Sequence, residues 1–77
     1  MQQNVIISDP EILSGTPVFR GTRVPVKNLF DYLEAGDTTD DFLHSFPTVS
    51  KEQVISVLEL SEALLISSEA GSYASVA

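Results

Sequence analysis

Short apolar runs and periodic apolar stripes divide this chain. Val5-Ile6-Ile7 is closed by Ser8-Asp9-Pro10 and predicts a short strand ending in a turn. Ile12-Leu13 follows as a small apolar plug. A near-repeat comes next: Gly15-Thr16-Pro17-Val18, then Gly21-Thr22-Arg23-Val24. Pro17 and Pro25 exclude a helix here. Val18-Phe19 and Arg23-Val24 therefore predict two brief extended arms around Arg20-Gly21-Thr22, with Gly21 supplying a positive φ at the bend. Strands this short do not stand alone in water. They must lie on the helices or extend the sheet edge of a second chain.

The rest of the pattern is helical. Val26, Leu29, Phe30 and Leu33 recur at i, i+3, i+4 and i+7, one apolar stripe, with Pro25 suited to the first helical position and Gly36 to the left-handed stop. A second, short helix is predicted over residues 39–46. Thr38 is its N-cap, Asp41 the reciprocal partner, Phe42, Leu43 and Phe46 the buried side, and Pro47 the end. The third helix opens at Ser50, with Gln53 placed to reach back and Val49 and Val54 placed as a hydrophobic staple. It carries apolar residues on two faces, Val54-Leu58-Leu65 and Val57-Leu60-Leu64. One stripe suffices to cover a small core. The second either covers the strands or meets another chain. Residues 67–77 are small, polar and aperiodic, which predicts a flexible tail after a single domain over residues 1–66.

The predicted fold class is thus mainly α, three helices in helix-turn-helix order behind a short N-terminal β segment. At 77 residues the core is thin, and chains of this size often draw stability from disulfides, metals or a partner. Cysteine is absent, which removes disulfides and thiolate metal sites together. A homodimer is the remaining source of burial, and Val18, Phe19, Leu60 and Leu64 are its expected interface. No apolar run approaches the ~20 residues of a membrane helix. A start without a basic leader, together with the lack of cysteine, predicts a cytoplasmic protein.

Charge changes the picture further. Residues 1–27 carry Arg20, Arg23 and Lys27 against Asp9 and Glu11, a net +1, whereas residues 28–77 carry Lys51 against nine carboxylates, a net −8. A compact basic stretch thus sits on an acidic body. It is either a turn with exposed arginines or a docking segment whose guanidinium forks suit carboxylate or phosphate. Arg20, Arg23 and Lys27 are the candidate partner-binding residues.

Catalytic chemistry is not visible. The lone His44 has no second ligand, the glycines form no phosphate loop, and Asp40-Asp41 diverge around a helix, where they offset its dipole. No enzyme, metal, cofactor or small-molecule substrate is expected. A helix-turn-helix reading makes the third helix a DNA reader, with Gln53 suited to adenine, Lys51 to phosphate, and Ser50 and Ser56 beside them. One lysine among acids is a poor footprint for DNA.

The segment Asp9-Pro10-Glu11-Ile12-Leu13-Ser14-Gly15-Thr16-Pro17-Val18-Phe19-Arg20-Gly21-Thr22-Arg23-Val24-Pro25-Val26 closely resembles the hallmark of the family catalogued as domain of unknown function 433. The likeness continues through Ala35-Gly36, the short acidic helix, Phe46-Pro47 and the helix opening at Ser50, and covers roughly residues 5–66. The resemblance implies a homeodomain-like three-helix domain. It also implies an antitoxin-like role beside a PIN-like nuclease toxin in a type II toxin–antitoxin system, with repression of the operon through operator DNA. PIN-like nucleases hold metal ions with carboxylates, which Arg20 and Arg23 can pair with bidentately.

Overall fold

The computed structural model describes residues 4–66. Two short strands, β1 (Ile6–Ile7) and β2 (Val18–Phe19), precede three helices, α1 (Val26–Glu34), α2 (Thr39–Ser45) and α3 (Lys51–Ile66). The strands pair antiparallel, Ile6 opposite Phe19 and Ile7 opposite Val18. Val18 also bridges to Pro25 on its other side, and the Phe19 amide donates to the Val24 carbonyl at 3.0 Å. The first expected arm is β2, which lies in the middle; the second, expected over Arg23-Val24, is instead a single bridge at Pro25 with one bond at Val24. Pro25 is the N-cap of α1 and not its first helical residue, because the bridge to Val18 holds it extended.

The Gly-Thr near-repeat has a structural meaning. Gly15 and Gly21 adopt φ of 90° and 78°, and the threonine after each closes the same kind of turn. Thr16 donates from its amide (3.2 Å) and its hydroxyl (2.8 Å) to the Leu13 carbonyl. Thr22 does so to the Phe19 carbonyl at 3.0 and 2.8 Å. Glycine admits the left-handed backbone at each bend without a steric penalty, and threonine adds a second donor to the carbonyl three residues back. The first bend also places Leu13 and Ser14 at positive φ, 51° and 57°, which costs roughly 1–2 kcal/mol per residue. Nothing in their identity forecast it.

The core is built where the strands meet the helices. Phe19, Val26, Leu29, Phe42, Val49, Val54 and Val57 form one buried cluster, and Val18 is fully buried as well. Phe42 is its hub, with ring centroids 5.8 Å from Phe19, 5.6 Å from Tyr32 and 5.0 Å from Phe46. Such pairs contribute about 0.5–1.5 kcal/mol each beyond simple burial. Val18 and Phe19 were expected at a dimer interface. The structure corrects this, because both side chains are enclosed by their own chain.

The helix signals hold. On α1 the stripe turns inward: Val26 and Leu29 are buried, Phe30 and Leu33 half-buried. Gly36 ends the helix region at a φ of 90°. Thr38 and Asp41 cap α2 reciprocally at 3.0 and 3.1 Å. Ser50 and Gln53 do the same for α3 at 3.0 and 3.1 Å, and both staple residues, Val49 and Val54, are buried. Beyond Leu58, α3 outruns its core, leaving Leu60 50%, Leu65 66% and Ile66 74% exposed. No helix among the described residues is long and apolar enough to cross a membrane. The expected flexible tail lies outside the described residues.

Two outcomes follow. Phe42→Ala should lower the unfolding free energy by about 3–5 kcal/mol in denaturant titration. The backbone amide of Thr38, and then its hydroxyl contact, hold Asp41 below the ordinary 3.8. A depressed carboxylate contributes stability above its unfolded value and loses it as pH falls through the folded value. The stability gap between wild type and Asp41→Asn should therefore be open at neutral pH and close well below pH 3.8.

Candidate functional site

The basic turn is fixed by three bonds from two sides. The Arg20 amide donates to the Val5 carbonyl at 2.8 Å, which ties the turn to the approach into β1. The Arg20 carbonyl accepts from Gln53 Nε2 at 2.9 Å, which ties it to the first turn of α3. The Arg20 side chain donates from Nε to the Asn4 carbonyl at 2.6 Å, so the guanidinium leans along the chain entering β1. Arg23 is exposed and has no hydrogen-bond or ion-pair partner among the described residues. Lys27 is paired along α1 with Asp31 at 2.8 and 3.0 Å, and this hydrogen bond and the attraction of the carboxylate raise its pKa. The three candidates thus divide. Arg23 is available, Arg20 is partly engaged through Nε, and Lys27 has a partner of its own.

The proposed reading residues of α3 also divide. Gln53 is not free to read a base: its Oε1 accepts from the Ser50 amide and its Nε2 donates to Arg20. A primary amide engaged at both ends cannot offer the bidentate edge that adenine requires. Ser50 receives the Gln53 amide as the helix cap. Ser56 does not sit at an exposed start but is half-buried, facing β1. Lys51 is exposed without a partner among the described residues.

Two grooves flank the β segment. One lies beside the basic turn, over Ile7, Ile12 and Val24, with Arg23 and Thr48 at its rim. The other, of about 410 Å³, runs between Asn4, Val5 and Ile6 on one wall and Ser56, Glu59, Leu60 and Ala63 of α3 on the other. The second groove was not foreseen, although Ser56, Glu59, Leu60 and Ala63 stand at i, i+3, i+4 and i+7 and so share one helix face. The missing information was that this face lies along β1. Among the described residues no cluster of three or more His, Cys, Asp or Glu could hold a metal ion.

A small, mainly helical domain, led by a two-stranded sheet and a rigid arginine turn, is the class these features define. Residues 6–60 match the model of the family described as "Protein of unknown function (DUF433)", and the chain belongs to that family. It is also 38% identical over 52 residues to "Uncharacterized protein y4eO" of Sinorhizobium fredii (strain NBRC 101917 / NGR234), a match covering 68% of this chain and 24% of that protein. The chain therefore matches about a quarter of that relative's length. No solved structure matches.

Gln53 is the residue that ties the turn to α3. Gln53→Ala, which loses both side-chain bonds, should cost about 1–2 kcal/mol. Gln53→Glu, which keeps the acceptor for Ser50 and loses the donor to Arg20, should cost less. Equal stability of all three proteins in denaturant titration would contradict this assignment.

Proposed function

We propose that this domain is a protein-binding module of antitoxin type, acting in the cytoplasm on a PIN-like nuclease encoded beside it. The observation that carries the reading is the second half of α3. Leu60, Leu65 and Ile66 project from a domain whose core is already closed without them. Exposed large apolar side chains grouped on one helix mark a contact surface more often than chance. The acidic body suits a partner that binds an anionic substrate on basic surface, and Arg23 stands ready for carboxylates on that partner.

The Leu60–Leu64 face of the same helix could also join two copies of this chain. A DNA-reading role draws less support, since Gln53 is committed within the chain and Glu52, Glu59 and Glu62 share α3 with the single Lys51.

The test is co-expression with the adjacent reading frame, followed by mass measurement on a sizing column. The expected result is co-elution of the two chains. The double variant Leu65→Glu plus Ile66→Glu should lose it with unchanged helix content, because exposed positions tolerate substitution at small cost to the fold. A wild-type chain that elutes without its neighbour's product would defeat the proposal.

A further inference from the structure

The sheet has an open side, and its hydrogen-bond phase shows what that side offers. The strand order is β1-β2, and the far side of β2 is taken by the bridge to Pro25. Among the described residues the outer edge of β1 is left unpaired. Antiparallel pairs alternate between bonded and non-bonded. The bond from the Arg20 amide to the Val5 carbonyl places Val5–Arg20 in the bonded class, so Ile6–Phe19 falls in the non-bonded one. An independent bond agrees: the Phe19 amide points away from β1, to Val24. The Ile6 N–H and C=O must likewise point away from β2, to the open edge.

That edge borders the 410 Å³ groove against α3. Natural edges are usually blunted by Lys, Pro, a bulge or a covering element. Val5-Ile6-Ile7 has no Lys or Pro, and among the described residues a groove stands where a cover would be.

We propose that this groove receives an extended segment of a partner protein, alternating apolar and basic residues, added as a strand beside β1. The inference rests on the protein-binding reading above and names its mode. A strand seated about 4.8 Å from β1 would bond to Ile6 through its backbone and turn every second side chain toward Leu60 and Ala63. Charge selects the occupant. Glu59 lines the wall, Glu52 and Glu62 share its helix, and the chain carries −7, an acidic field that the Arg20 guanidinium, bonded to Asn4 at one end, offsets only in part. A basic segment complements this field, whereas a second copy would bring another −7 to it.

The probe is an end-capped hexapeptide of alternating valine and lysine, titrated into the full-length ¹⁵N-labelled chain. Saturable shifts should be largest at Ile6, Leu60 and Ala63. Methylating the peptide's backbone amides should weaken binding about tenfold, since the backbone bonds carry the affinity in strand addition. Ile6→Pro should weaken it to a similar degree while leaving the β1–β2 ladder intact, because an edge strand tolerates proline where the N–H faces outward. Glu59→Lys, which leaves the backbone untouched, should weaken it as well.

Absence of saturable shifts at Ile6 would overturn the proposal. So would equal binding of a valine–glutamate peptide, or a free chain already dimeric with Ile6 protected by the second copy. Co-elution with the neighbouring product that survives Ile6→Pro would remove the groove and leave the protein-binding reading standing. A wild type that never co-elutes would remove that reading, and the peptide titration would still decide the groove.

Discussion

Phe19 and Phe42 meet with ring centroids 5.8 Å apart, both fully buried, and the rest of the structure depends on that contact. A two-residue strand pair has too little surface to persist in water. Here it persists because its middle strand supplies Val18 and Phe19 to a core otherwise built by helices. The short α2 is likewise too brief to be stable alone. Its two cap bonds set where it starts, and Phe42 anchors it between the sheet and the Tyr32–Phe46 pair. Neither part would keep its shape without the other.

From that contact the geometry of the basic turn follows. With Phe19 fixed, Thr22 closes the turn on the Phe19 carbonyl, Arg20 is bonded to the strand on one side, and Gln53 reaches it from α3 on the other. The turn is thus a rigid display whose backbone is held at several points and whose Arg23 side chain is exposed. The same fixation sets β1 alongside α3, so the open edge and the groove are consequences of the core and not separate inventions of the surface.

Much of this was readable from residue pattern. Both capping boxes, the staple of Val49 and Val54, the stripe of α1 and the bend at Gly21 are local rules, each decided within a few residues. Where expectation failed, a distant partner decided. Val18 and Phe19 looked like interface because a short apolar strand has no local sign of what will cover it. Gln53 looked like a base reader because its capping role engages only its carbonyl oxygen; the Arg20 carbonyl, 33 residues away in sequence, takes the amide nitrogen. The left-handed Leu13 and Ser14 were unreadable for another reason. No glycine marks them, and the bend is imposed by the Thr16 bonds to Leu13. Family membership agrees with the hallmark segment around the turn, whose backbone is bonded to β1 and to α3.

The central claim is that a closed aromatic core holds β2 bonded on both sides and leaves the outer edge of β1 open. Residue-resolved amide hydrogen exchange on the isolated chain tests it most directly. The Phe19 amide, bonded to Val24 and buried in the core, should exchange at a rate near that of global unfolding, and the Ile6 amide, directly opposite it on the neighbouring strand, should exchange far faster. Protection of Ile6 equal to that of Phe19 in the monomer would contradict the account.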